Sequence, residues 1–262
     1  HVDPSDLHEI VAAADLAIGA GGTSSFERAA CGLPSVLIPI ADNQRFIAAA
    51  FKAAGAAKIV PAAMLDDPSA LGAAIAGLAA DNSQRAAMSK AAATITDGRG
   101  AQRLLVACAG IESAKDGTSL RLRLVEPSDA AWLLSLQSQP ETRRFSYNPA
   151  VPSAQEHAAW FARVLENDDR LLAIAEANGE RAGMVRLDRV GRDPDTFEVS
   201  IAVDQARHGR GFGKAVLALA RRLAPGADFI ANVLPQNRAS VALFTAAGYR
   251  QESGDRYRSR AA

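Results

Sequence analysis

Between Phe197 and Lys214 the chain reads FEVSIAVDQARHGRGFGK, and no other run constrains the fold as much. Phe197–Val203 is strand-like. His208-Gly209-Arg210-Gly211-Phe212-Gly213 then sets glycines at alternating positions, and a helical pattern follows from Gly213 to Ala224. Glycines let backbone N–H groups approach a ligand without a Cβ in the way. A helix start adds unpaired donors and partial positive charge. Strand, glycine turn and helix in this order predict a nest for a diphosphate over His208–Lys214. Arg207 and Arg210 can add charge-assisted contacts to phosphates. Ordinary loop glycines account for such a turn about as well. A dinucleotide loop has similar spacing, but its acidic partner is poorly matched, because Asp228 follows a Pro-Gly turn.

Around this run the periodicities predict a mixed α/β layout. Leu120–Val125 alternates Leu and Arg, as a half-buried strand does. Pro127-Ser128-Asp129 opens a helix to about Ser138, and a second amphipathic helix covers Ala154–Glu166. Leu171–Ala177 and Ala182–Asp188 flank Asn178-Gly179, a hairpin signal. Phe229–Val233, a helix over Asn237–Ala247 and a single strand after Tyr249 complete the half.

The first half has its own strand–turn–helix pattern. Ala14–Ile18, Ser35–Ile40 and Ala57–Val60 read as strands, with helices opening at Thr23 or Ser24 and spanning Gln44–Ala54. This spacing predicts a parallel sheet. Helices follow at Pro68–Ala80, Ser83–Ala93 and about Gly100–Cys108, and Ser113–Ser119 reads as a linker. The 262 residues divide into a domain over 1–112 and another over 119–262. The chain begins at His1 in what reads as mid-domain, so an amino-terminal portion is expected to precede it.

Net charge is zero, which gives no support to bulk nucleic-acid or membrane-surface binding. Residues 119–262 carry twenty basic and seventeen acidic side chains, against nine and twelve before them. That excess suits an anionic ligand, and a solvated arginine surface accounts for it about as well. Cys31 and Cys108 read as buried free thiols of a reducing cytoplasm. Four histidines without ligand spacing predict no metal site; His157 reads as an ordinary helix residue.

The second half resembles the Gcn5-related N-acetyltransferases. Gly211 and Gly213 match their Gln/Arg-x-x-Gly-x-Gly/Ala loop, with His208 in the Gln/Arg place. Asn237, Ser240, Leu243, Phe244, Gly248 and Tyr249 match the second signature, except that Phe244 stands where a tyrosine often does. The resemblance implies acetyl-CoA as cofactor, held by His208, Gly209, Arg210, Gly211, Phe212, Gly213, Lys214, Asn237 and Phe244 where two strands splay apart. Backbone N–H groups near Ala202 or Val203 would hold the thioester carbonyl, and Glu198 is the candidate base acting through water. Tyr249 and Tyr257 are the substitutes for the missing tyrosine acid.

The stretch DLAIGAGGTSSFERAACGLPSVLIPIADNQ resembles the carboxy-terminal domain of GT-B glycosyltransferase-like proteins, nearest to the UDP-sugar hydrolases of pseudaminic acid synthesis. Gly21, Gly22, Thr23, Ser24 and Glu27 match the uridine-diphosphate loop, and Asn43 and Gln44 its downstream motif. The fold expected is a partial GT-B/Rossmann-like parallel-sheet domain followed by a mixed-sheet acyltransferase domain. The fusion implies a cytoplasmic enzyme acetylating the 4-amino group of a UDP-linked 4-amino-4,6-dideoxy sugar, with a further hydrolase domain in the parent protein. Arg143 and Arg144 could meet the UDP phosphates, although a solvated surface accounts for them better. The resemblance also leaves open a hydrolase with an accessory transferase, an acetylase of protein amino termini, and a non-catalytic acyl-CoA module.

Overall fold

A computed structural model describes residues 5–261. The chain forms two compact units, one running to Gly100 and one from Ala101.

The first unit holds α1 (Leu7–Ala13), β1 (Ala17–Ala20), α2 (Ser24–Ala30), β2 (Ser35–Ile38), α3 (Arg45–Ala53), β3 (Ala57–Ile59), α4 (Pro68–Ala80) and α5 (Asn82–Ala93). Its three strands lie in the order β1-β2-β3, all parallel. Val36, Leu37 and Ile38 of the central strand are buried, as a strand covered on both faces requires. Asp67 and Asp81 accept from Ala70 N–H and Gln84 N–H and so start α4 and α5.

Next come α6 (Gly100–Cys108), β4 (Ile111–Ser113), β5 (Ser119–Leu124), α7 (Ala130–Ser138), α8 (Pro140–Arg144), α9 (Ala154–Leu165), β6 (Arg170–Ala177), β7 (Glu180–Arg192), β8 (Asp195–Val203), α10 (Phe212–Leu223), β9 (Asp228–Asn232), α11 (Arg238–Ala246), β10 (Arg250–Ser253) and β11 (Arg256–Ser259). Eight strands form one sheet in the order β10-β11-β9-β8-β7-β6-β5-β4. Only the β8–β9 pair is parallel. The chain is therefore an α/β protein with a small parallel sheet followed by a larger mixed one.

The large sheet buries both faces. Ala173, Val185, Leu187 and Val199 meet Phe212, Val216, Leu219 and Leu223 of α10. Leu172, Ile174 and Met184, on the opposite face, meet Leu133 and Leu136 of α7 and Phe161 and Val164 of α9. A capping box fixes the start of α9: Ser153 Oγ accepts from Glu156 N–H and the Glu156 carboxylate from Ser153 N–H.

Three expectations are corrected. Residues 113–119 are the turn of the antiparallel β4–β5 hairpin, not a linker, because polar turn residues serve both purposes equally. The single strand after Tyr249 is the hairpin β10–β11. Cys31 and Cys108 are free but exposed, each at the end of a helix where apolar neighbours in sequence do not cover it. Among the described residues no helix is long and apolar enough to cross a membrane.

Candidate active site

β8 and β9 pair at only three positions, Thr196↔Asp228, Phe197↔Phe229 and Glu198↔Ile230. β8 continues to Val203 while still paired with β7, so a gap opens on its other side. Asp204 N–H bonds the Ala182 carbonyl at 2.9 Å. Alternation along an antiparallel ladder then turns the N–H of Ala202 toward β7 and those of Ile201 and Val203 into the gap.

The loop after β8 closes on itself by short contacts. His208 Nε2–H donates to the Val203 carbonyl at 3.0 Å, and Asp204 accepts from Ala206 N–H. Gly211 has φ +88°, and a Cβ there would stand 2.6 Å from Lys115 N, whose N–H bonds the Arg210 carbonyl. A Cβ on Gly213 would stand 2.9 Å from Leu243 Cδ2. Glycine is required at 211, where the neighbour is backbone and φ is positive; at 213 the Leu243 side chain would have to turn aside. His208 N–H bonds Gln205 and Ala215 N–H bonds Gly211, and between them residues 208–211 form a turn in which, among the described residues, no close backbone bond holds the N–H groups from Gly209 to Lys214. Loosely held backbone donors ahead of a helix of twelve residues suit a diphosphate. By that test the loop fits the diphosphate of a coenzyme.

The neighbouring cations are otherwise engaged. Arg207 pairs with Glu180 at 2.8 Å and Arg210 with Asp116 at 2.6 Å, and both guanidinium groups lie 5.4 Å from the Phe212 ring. They brace the loop instead of standing free for phosphates, and Phe212 is buried in the core. Lys214 is exposed. Asn237 Oδ1 accepts from Ser240 N–H at 3.1 Å and so caps α11, whose Leu243 packs on Gly213. Phe244 and Tyr249 meet edge-on at 5.0 Å in the core, where burial pushes the Tyr249 hydroxyl up. Tyr257 is buried in the same cluster. The structure does not bring either tyrosine into the gap.

On the opposite face of the sheet lies a cavity of about 510 Å³. Met184, Arg186, Ser200 and Ala202 form its floor, and Arg143, Tyr147, His157 and Trp160 are among its walls. Glu198 shares the Ser200–Ala202 face by the two-residue period of a strand. Its cross-strand partner Asp188 is held by Arg170 and Arg186, the latter at 2.7 Å. Tyr147, which sequence reasoning missed, donates its hydroxyl to Asp255. Burial, that bond and the charges of Asp255 and Glu198 push its pKa up to about 12, so it stays protonated. Only the fold reveals this contact, since 108 positions separate the pair.

Residues 119–250 match the Acetyltransferase (GNAT) domain family, half of the chain. The chain belongs to the GNAT acetyltransferases. It is an acyltransferase whose acetyl donor is acetyl-CoA, in keeping with the diphosphate-ready loop. This acetyltransferase is similar to the GNAT domain of S. lividans PAT, at 30% identity over 57% of this chain and 93% of that one, with a TM-score of 0.47. It also resembles spermidine N-acetyltransferase from Vibrio cholerae, solved with CoA and spermine (18% identity, 53% of this chain, 92% of that one, TM-score 0.47). A third likeness is aminoglycoside acetyltransferase AAC(6')-Ib with coenzyme A (17%, 54% and 94%, TM-score 0.48). No curated protein matches.

Residues 4–104 match the glycosyltransferase family 28 C-terminal domain. There the fold brings Gly21 and Gly22 against Gln44: a Cβ on Gly21 would stand 3.5 Å from the Gln44 carbonyl. Gln44 Oε1 accepts from Ile40 N–H at 3.0 Å. Thr23, Ser24, Glu27 and Asn43 are exposed. Arg28 folds back under the turn, donating to the Ala20 carbonyl at 3.1 Å and Ser25 Oγ at 3.2 Å.

Proposed function

We propose that this acetyltransferase acts on the 4-amino group of a UDP-linked 4-amino-4,6-dideoxy sugar, in the cytoplasm. One observation carries the reading: a unit of the glycosyltransferase family 28 type, a family whose likeness implies a nucleotide-sugar ligand, is joined in one chain to an acetyltransferase. Joining keeps consecutive steps on one intermediate at high local concentration. The pseudaminic acid route, with a UDP-sugar hydrolase as the first unit's relative, is the pathway this favours. In the first unit Gly21, Gly22, Thr23, Ser24, Glu27, Asn43 and Gln44 are the residues proposed to meet UDP.

Acetyl-CoA supplies an acetyl group activated as a thioester. The N–H groups of Gly209–Lys214 would hold its diphosphate, and the Val203 N–H, which faces the gap, would meet the thioester carbonyl oxygen. Glu198 would take a proton from the acceptor's ammonium through a water. The freed lone pair would attack the thioester carbon, the C–S bond would break, and the departing coenzyme thiolate would take its proton from water. The acceptor's sugar occupies the cavity walled by Trp160, Tyr147 and His157.

Release of free coenzyme A thiol tests the reading directly, with the UDP-aminosugar, with peptides and with no acceptor. Release with the sugar alone supports it. Release with peptide alone moves the enzyme to protein acetylation, and tight binding without turnover to a sensing role.

A further inference from the structure

The cavity beside β8 holds a positive charge that the protein leaves unanswered. Its charged lining residues are Arg143, Glu156 and Arg186. Arg186 pairs with Asp188 at 2.7 Å, and the Glu156 carboxylate is spent on the Ser153 N–H and hydroxyl. Arg143 is half-buried, and burial pushes its pKa down with no carboxylate charge to oppose the shift. Its neighbour Arg144 differs: it is exposed and reaches Glu141 at 3.8 Å.

Local bonds fix which edge of the Arg143 guanidinium is left over. Nη1 donates to the carbonyls of Asn148 and Ala150, at 3.3 and 3.2 Å, and both residues line the same cavity. Nε is shut off from solvent without a hydrogen-bond partner, and among the described residues Nη2 makes no bond either. The Nε–Nη2 edge is the one that grips a carboxylate or phosphate by two parallel bonds.

A second observation points to the same ligand. His157, also in the cavity lining, is 4% exposed, and its Nε2 has no hydrogen-bond partner. Its ring is stacked on Phe161 with centroids 6.2 Å apart, and burial pushes its pKa down, so it stands neutral. Buried polar atoms are satisfied in nearly all folded proteins, and an exception calls for a missing partner. Arg143 on α8 and His157 on α9 thus each lack a polar partner in one cavity of about 510 Å³, a size that suits a small molecule.

We propose that Arg143 and His157 form an oxyanion subsite in this cavity, so that the acceptor carries a carboxylate or phosphate group besides the amine that is acetylated. The inference rests on reading the cavity as the acceptor's seat and adds what the acceptor must carry. Arg143 holds two oxygens of the anion along its Nε–Nη2 edge, and His157 Nε2 meets a further polar group of the same ligand. The diphosphate of a nucleotide sugar and the carboxylate of an amino acid share this chemistry.

The test uses the full chain and three probes on one ring, cyclohexanecarboxylate, cyclohexyl phosphate and the neutral cyclohexanecarboxamide, followed by amide and imidazole chemical shifts. In wild type the better oxyanion should bind at least about tenfold tighter than the amide, the scale of a hydrogen bond to a charged group. A lead for the phosphate supports a nucleotide-type acceptor, and a lead for the carboxylate an amino-acid type. The Ser200 and Ala202 amides and the His157 Nε2 signal should shift. Arg143→Gln should bring the ratio close to one, and Arg144→Gln should leave it unchanged. A wild-type ratio near one, shifts that miss the cavity, or a preference that survives Arg143→Gln overturns the proposal. Acetyl-CoA titration of each variant reports whether its fold is intact. Should Arg143→Gln fail that control, the wild-type ratio and the His157 signal decide alone. Thiol release with the UDP-aminosugar is a separate reading: its failure sinks the sugar assignment and leaves the oxyanion ratio to stand.

Discussion

Glu198 and Ile230 are the last parallel partners of β8 and β9, and beyond them the strands part. The pair sets the depth of the gap and puts Glu198 at its closed end. Glu198→Gln keeps the shape and removes the proposed base. Turnover should fall about a hundredfold to ten-thousandfold, the usual worth of a positioned base. Acetyl-CoA affinity should not change. Steady-state kinetics with calorimetry checks both, and undiminished turnover would remove Glu198 from the mechanism.

Gly211 sits at φ +88° against the Lys115 backbone. Gly211→Ala must either adopt a strained conformation, at about 1–3 kcal/mol, or displace the loop. Acetyl-CoA affinity is expected to fall about tenfold or more, which corresponds to roughly 1.4 kcal/mol. Unchanged binding would mean that the loop does not hold the diphosphate.

Tyr249 meets Phe244 edge-on in the core, and burial raises its pKa. Such a hydroxyl is badly placed to protonate a thiolate in the gap. Tyr249→Phe should leave the turnover number within about threefold of wild type, against a hundredfold or more for a lost general acid. A large drop would restore Tyr249 as the acid.

Asp129 is shielded from solvent and bonded by Arg123 at 2.6 and 2.7 Å and by Arg181 at 2.8 Å. Burial alone would push its carboxyl up, but the Arg123 bonds, the Glu126 N–H, the Arg123 charge and Arg181 outweigh it and hold the pKa down. A depressed carboxyl stabilises the fold above the ordinary aspartate value of about 4 and loses that contribution as pH falls through the folded one. Asp129→Ala should cost about 1–3 kcal/mol at neutral pH, because it removes charge-assisted bonds from Arg123 and Arg181 and leaves Arg123 only its pair with Glu176. The loss should shrink in acid. Urea unfolding of the second unit at neutral and low pH measures it, and a cost under about 1 kcal/mol would contradict the account.

Much of this fold could be read from local pattern. The helix at Pro68–Ala80 follows from an aspartate cap and a proline at its first position, and the β6–β7 hairpin from Asn178-Gly179. The turn at His208–Gly211 and the helix after it were legible because glycine spacing and a helix start are neighbours in sequence. Contacts between distant segments were not. Tyr147 and Asp255 lie 108 positions apart and neither belongs to a motif. Arg207 and Arg210 looked free for phosphate because Glu180 and Asp116 reach them only through folding. The Ser113–Ser119 turn failed for another reason: a polar, glycine-containing segment has the same composition whether it joins strands or domains.

Titration of the full chain with acetyl-CoA, followed by heat and by amide exchange at Gly209–Lys214, tests the central claim most directly. The account predicts saturable heat and slowed exchange confined to those six amides and to Val203. No heat, or binding that leaves those amides unprotected, would contradict it.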